Sequence, residues 1–247
     1  MKKILKWILI VFLVLLVGLF IATKVMSKSL PTGKTGPAAD TLAAKILDRI
    51  DKQAWDSLPY ISWTFFGGTN HYVWDKVNNK ASVSWSGYDV ILDLDDYYNN
   101  SIAKSEDGAI LSGDARNAAI QTAWMLWCND SFWLYAPYKL NDKGVTRSVI
   151  TEDDKEGLLV TYESGGTTPG DSYLWWVDET GLPTSYDMWT SIIPIKGINA
   201  TWTNWKELPG GAMIAQSHKL GPIEMSLTDV KAGSTLASVG AQNDIFR

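Results

Sequence analysis

Between residues 60 and 95, apolar side chains recur at every second position. Ile61, Trp63 and Phe65 alternate with Ser62 and Thr64. Tyr72 and Trp74 precede the turn Asn78-Asn79; Ala81, Val83 and Trp85 alternate with Ser82, Ser84 and Ser86; Val90, Leu92 and Leu94 close the set. A two-residue period lines one face of a strand, and short polar turns leave room only for antiparallel neighbours. The pattern returns after Gly144. Val145–Thr151 pairs in sequence with Leu158–Glu163, and Tyr173–Val177 with Ser185–Ser191; Ile198–Trp205, Met213–Leu220 and Ile223–Asp229 follow. The absence of long crossovers argues against a parallel sheet.

Two segments change period. Leu42, Ile46, Ile50 and Ala54 recur every fourth residue behind a cap at Asp40 or Thr41, an amphipathic helix that ends before Pro59. From Asp114 to Cys128, Ile120, Trp124 and Trp127 fall at i, i+4 and i+7, giving a second helix with an aromatic face. Phe132–Pro137 then reads as a short helix or packed loop. A flat sheet of about ten strands would expose its apolar face. The economical fold is α+β: a curved antiparallel incomplete β-barrel of about ten strands with helices packed in its concave side. Its inward aromatics are Trp63, Phe65, Trp85, Trp124, Trp127 and Trp175. The chain carries 13 tryptophans, more than one curved sheet ordinarily buries, and Trp175-Trp176 places one indole on each face. The inward set is therefore read two ways, as a solid core or as the lining of a cavity for a lipid or other apolar ligand.

The N-terminus obeys a different logic. Trp7 to Thr23 holds no charge, and Lys2, Lys3 and Lys6 precede it. That is the lower end of a bilayer span, with its basic flank on the cytoplasmic side. A cleaved signal peptide is the competing reading, but the small-residue sites near Ala22 and Ser27 are poor. Residues 1–28 carry five of the 22 basic residues and no acidic one, so the rest stands at 17 basic against 27 acidic. An acidic body repels phosphate backbones, so no nucleic-acid partner is expected.

The order of elements, with the motif Val177-Asp178-Glu179-Thr180-Gly181-Leu182-Pro183 between two aromatic strands, resembles the Lol-type lipoprotein-carrier superfamily, in one of its bacterial branches. Ala54-Trp55 and Tyr135-Ala136-Pro137-Tyr138-Lys139-Leu140 are similar to segments of the same branch. The resemblance covers roughly residues 40–230. It implies an apolar cavity under a convex sheet that shields an acyl chain or lipid anchor from water. In the motif itself, Gly181 permits a positive φ and Pro183 opens the next strand, where a missing N–H is tolerated.

Patterns that carry chemistry are sparse. Ser101-Ile102-Ala103-Lys104 and Lys34-Thr35-Gly36 match fragments of penicillin-recognising enzymes, in reversed order and without Ser-Asp-Asn. Cys128 stands alone, which excludes an internal disulfide, and His71 and His218 leave little for a histidine metal centre. Asp93, Asp95 and Asp96 lack the loop glycine of an EF-hand and read as a turn or cap. No catalytic residue, cofactor or metal is assigned.

The chain thus divides into 1–28, an N-terminal transmembrane anchor or uncleaved signal; 29–39, a linker lifting the domain off the membrane; and 40–247, one exported lipoprotein-carrier-like domain. The expected protein is single-pass in a bacterial inner membrane, with its domain on the periplasmic side. It would hold a lipid or other apolar ligand in a cavity lined by Trp63, Phe65, Trp85, Trp124, Trp127 and Trp175. The alternatives are a structural or protein-interaction module of the envelope with a filled core, and a hydrolase.

Overall fold

The alternating segments become strands in the computed structural model, which describes residues 2–246. Helix α1 (Lys2–Met26) holds a stretch, Ile4–Met26, long and apolar enough to cross a membrane and not buried against the domain. At 1.5 Å per residue the helix is about 37 Å long, against a hydrocarbon core of about 30 Å. Helix α2 (Pro37–Arg49) starts earlier than the Asp40 cap expected, with Gly36 and Pro37 at its entrance. It buries Leu42, Ala43, Ile46 and Leu47. Helix α3 (Lys52–Ser57) is capped by the Asp51 carboxylate, which accepts from the Ala54 N–H at 2.8 Å.

Strands β1 (Tyr60–Phe65), β2 (Asn70–Asp75), β3 (Lys80–Trp85) and β4 (Tyr88–Asp93) form a meander that β5 (Ile102–Lys104) extends beyond the short helix α4 (Tyr97–Asn100). Helix α5 (Gly113–Tyr135) follows, and runs without a break past Phe132 into a 3-10 turn, Ala136–Lys139. A second sheet holds β6 (Val145–Glu152), β7 (Lys155–Tyr162), β8 (Ser172–Val177), β9 (Pro183–Trp189), β10 (Ile198–Thr201), β11 (Thr203–Glu207), β12 (Met213–Leu220) and β13 (Ile223–Ser226). Strand β14 (Thr228–Gly233) leaves it and pairs with β1.

All these pairings are antiparallel, as the sequence predicts, and the α+β class holds. The described strands number fourteen rather than about ten. The excess comes from β5 and from two splits: β10 and β11 part at Trp202, and β13 and β14 part at Leu227. The second split joins the two sheets. Strand β13 pairs with β12, β14 pairs with β1, and only buried Leu227 lies between them. The result is a curved, open surface rather than a closed barrel.

Its concave side carries the main core. Ile61, Trp63, Phe65, Tyr72, Val83 and Leu92 of the first sheet meet α5; Leu158, Val160, Trp175, Tyr186 and Trp202 of the second join the same cluster, with α2 packed on β6 and β7. Trp55 of α3 stacks on Tyr138 at 4.5 Å and on Tyr135 at 6.0 Å, so the two segments singled out beside the hairpin motif pack on each other.

Candidate ligand-binding cavity

Helix α5 packs on both sheets rather than presenting one apolar stripe to a single layer. Its first half faces β4 and β5, and its second half crosses toward the other sheet. Polar Asp130 marks the crossing. It is buried, accepts hydrogen bonds from Asn70 Nδ2 (2.8 Å), Asn129 Nδ2 (2.7 Å) and the Tyr72 hydroxyl, and so pins α5 to β2. Ser131 donates to the Trp127 carbonyl at 2.5 Å. The polar triplet Asn129-Asp130-Ser131 therefore sits within the helix instead of ending it. Burial and the neighbouring Asp130 charge raise the Tyr72 pKa far above the ordinary phenol range, so Tyr72 stays a donor.

Beyond Asp130 the helix stands off the second sheet and leaves a cavity of about 570 Å³. Ligand sites of small molecules commonly occupy 300–1,000 Å³. Trp124, Trp127, Phe132 and Trp133 line it from α5; Tyr162, Tyr173, Tyr186 and Met188 line it from β7, β8 and β9. Phe132 meets Tyr173 at 4.8 Å and Tyr162 edge-on at 5.8 Å, and Trp133 lies 5.7 Å from Tyr186. One end is polar. Lys139, Asp142 and Lys143 border it after α5, the loop Ser164–Thr168 borders it after β7, and Thr190, Ile192 and Ile193 border it after β9. The Tyr162 hydroxyl and Thr190 Oγ1 are both buried and have no hydrogen-bond partner among the described residues. Burial raises the Tyr162 pKa well above its ordinary value, so it is a neutral donor.

The six aromatics expected to line a cavity are placed apart. Trp124 and Trp127 lie on it, with Trp124 also stacked on Tyr97 at 4.2 Å. Trp63, Phe65 and Trp175 are buried in the core and do not border it; Trp63 and Trp175 pack behind the lining residues Trp127 (5.7 Å) and Tyr186 (4.9 Å). Trp85 is half-buried, packs against the main core and stacks on Tyr88 at 5.4 Å, and does not border the cavity. Phe132, Tyr162, Tyr173 and Tyr186 were not singled out. The signal was present: Trp124, Cys128 and Phe132 continue one helical face at spacing four, and Leu158, Val160 and Tyr162 share one strand face.

Cys128 borders the cavity, and burial pushes its thiol pKa up to about 12, which leaves it protonated and a poor nucleophile at neutral pH. His71 bonds Thr64 at 2.9 Å across a strand pair, whereas His218 is buried beside Trp133 and Trp202 in the other sheet, so the two histidines do not meet. Asp93 and Asp96 accept N–H groups of their own turn and of α4. Among the described residues no cluster of three or more His, Cys, Asp or Glu is arranged to hold a metal ion.

No protein-family model matches this chain, and no curated protein does. Among solved structures, the chain is similar to a DUF1329 family protein from Desulfovibrio piger, with a TM-score of 0.42 and 12% sequence identity over 85% of this chain and 96% of that one.

Proposed function

We propose that this protein is anchored in a bacterial inner membrane by α1, with an exported domain that binds an apolar or amphiphilic ligand between α5 and β7–β9. The observation that carries the reading is the aromatic cavity with polar residues bordering it at the end of α5 and in the Ser164–Thr168 loop. An acyl chain suits the aromatic walls, and each buried methylene contributes about 0.8 kcal/mol. Ten methylenes contribute about 8 kcal/mol, comparable to ordinary association costs. Lys139, Asp142, Lys143 and the Ser164–Thr168 loop would face a polar head group, which favours an amphiphile over a plain hydrocarbon. The likeness of the Val177–Pro183 hairpin to Lol-type carriers supports the same class of ligand. Lys2, Lys3 and Lys6 ahead of the charge-free run Trp7–Thr23 favour a cytoplasmic N-terminus.

A second reading, a structural module with a filled core, is favoured by Trp63, Phe65 and Trp175, which are solidly packed. Tryptophan fluorescence of the purified full chain separates the two. The binding reading expects a saturable response to a single-chain lipid below its micellar concentration, weakened in Trp124→Ala and unchanged in Trp85→Ala. Trp175→Ala should instead cost about 3–5 kcal/mol of stability. A wild-type protein that neither responds nor carries co-purifying lipid by mass spectrometry overturns the binding reading.

A further inference from the structure

The segment joining α1 to the domain is docked, not free. Lys28 N–H donates to the Lys196 carbonyl at 2.9 Å, Lys196 N–H donates to Ser27 Oγ at 3.0 Å, and the Trp189 indole donates to the Lys28 carbonyl at 2.9 Å. Lys28 also pairs with Asp187 at 3.5 Å. Residues 27 and 28 follow directly on the last residue of α1, Met26. The turn between β9 and β10 is therefore held within a few ångströms of the point where α1 ends.

That turn is also the rim of the cavity. Tyr162 ends β7, Ser172 begins β8, Trp189 ends β9 and Ile198 begins β10; the pairs Thr161–Ser172, Ser172–Trp189 and Met188–Ile198 put all four at one end of the sheet. Thr190, Ile192 and Ile193 border the cavity there. The turn has a defined shape: Lys196 Nζ donates to the Thr190 and Ile193 carbonyls, and Ser191 N–H donates to Asp171 at 2.8 Å. Its tip, Ile192, is 68% exposed. A crevice of about 370 Å³ separates the turn from the end of α1, bordered by Lys24, Lys28 and Lys196.

With α1 across a bilayer, these features fall at the interface. Exposed Ile192 with exposed Lys24 and Lys28 forms a set that suits head groups, apolar part inward and ammonium groups beside lipid phosphates, while Lys196 and the Trp189 indole hold the turn and segment together. Resting on the ligand reading above, we infer that the mouth of the cavity is apposed to the leaflet in which α1 ends, and that its ligand is the acyl chain of a membrane phospholipid taken directly from that leaflet past Ile192 and Ile193. The aqueous route is then dispensable, because the chain passes from hydrocarbon to aromatic wall without crossing bulk water.

The test uses the full chain in vesicles of phosphatidylethanolamine and phosphatidylglycerol, with the latter carrying a diazirine on one acyl chain. Photolysis and peptide mass spectrometry locate the label. A second protein carries twenty Gly/Ser residues inserted between Met26 and Ser27. The insertion leaves the docked segment and the cavity untouched and lifts the mouth by roughly 25 Å. A short-chain diazirine fatty acid, added from water to each protein, reports whether the cavity binds at all. The inference expects phospholipid label on the cavity face of α5, between Trp124 and Trp133, reduced roughly fivefold or more by the insertion. Short-chain label on α5 should be equal in both proteins. Phospholipid label that is absent, or equal in the two proteins, while the short-chain probe labels both, overturns entry from the leaflet and leaves the binding reading standing. Absence of label on α5 from both probes overturns both.

Discussion

At the scale of single residues the hairpin Val177–Pro183 shows how little of a motif is arbitrary. Gly181 has φ of +92°, and the Asp178 carboxylate accepts from the Thr180 N–H (2.8 Å), the Thr180 hydroxyl (2.6 Å) and the Leu182 N–H (3.0 Å). Helix α2 grips the turn: Lys45 donates to the Glu179 carbonyl at 2.8 Å and Arg49 to Thr180 at 3.1 Å. A Cβ on Gly181 would stand 2.9 Å from Lys45 Cγ and 3.2 Å from its carbonyl oxygen. Gly181→Val should therefore cost about 1–3 kcal/mol, from the left-handed backbone and the displaced α2 together. An unchanged urea midpoint would count against this turn geometry. His218 makes a prediction in pH. Burial holds its imidazole at a pKa of about 4, below the ordinary 6.5, so the unfolded chain takes up the proton first as pH falls. The stability contributed by the neutral form is complete above about pH 6.5 and is lost on the way down to about 4. The loss amounts to about 3 kcal/mol between pH 7 and pH 4. Urea titrations should show a His218→Gln protein with a shallower acid slope by about that amount; equal slopes would mean that His218 is protonated in the folded state.

At the scale of elements, α5 carries the organisation, and Asp130 fixes its position. Asp130→Leu strands the amide of Asn70 and the hydroxyl of Tyr72 in the core without an acceptor. The expected cost is about 3–5 kcal/mol, as for removing one partner of a buried charged network. Denaturant unfolding of this variant beside Asp130→Asn, which retains an acceptor, checks the claim: the asparagine should recover part of the loss. The same residue explains where the sequence ceased to be legible. Asn129-Asp130-Ser131 looks like the end of a helix, because the partners that make it tolerable, Asn70 and Tyr72, lie some sixty positions earlier. Strand meanders were readable because alternation is local. The return of β14 to β1, Tyr60 opposite Gly233, was not, since backbone pairing across the whole domain leaves no mark on side-chain pattern. Alternation for Trp63 and Trp175, and helical spacing for Trp127, likewise place these residues inward without saying which of them face a void. That depends on how far α5 stands off the sheet.

At the scale of the molecule, the segment after α1 decides how the domain is presented. Its Pro/Gly composition predicts a linker that lifts the domain off the membrane, yet its backbone pairs with the second sheet. Lys34 N–H donates to the Val149 carbonyl at 3.0 Å, and Val149 N–H donates back to Lys34 at 2.9 Å. It thereby extends the sheet beyond its edge strand β6, next to Ile150, which with Leu159 and Leu174 forms a small apolar cluster beside Trp176 and Trp189. Composition could not show this, because the ties are main-chain hydrogen bonds and the close approach is made by a residue with no side chain. A Cβ on Gly33 would lie 2.5 Å from Ser148 Oγ, 2.7 Å from the Val149 carbonyl and 2.8 Å from Ile150 Cδ1. All three atoms belong to β6, and the Val149 carbonyl is main chain of a strand that cannot move without breaking β6 from β7. Gly33→Val should therefore peel the segment from the sheet rather than distort the sheet. The folded core contributes nothing to the contact, so the midpoint of global unfolding should shift by less than about 1 kcal/mol. Amide hydrogen exchange is the decisive measurement. Protection at Lys34 and Val149 should fall sharply in the variant, while Lys28, tied separately to Lys196, keeps more of its own. Equal protection at Lys34 in the two proteins would show that the segment is not held by this pairing.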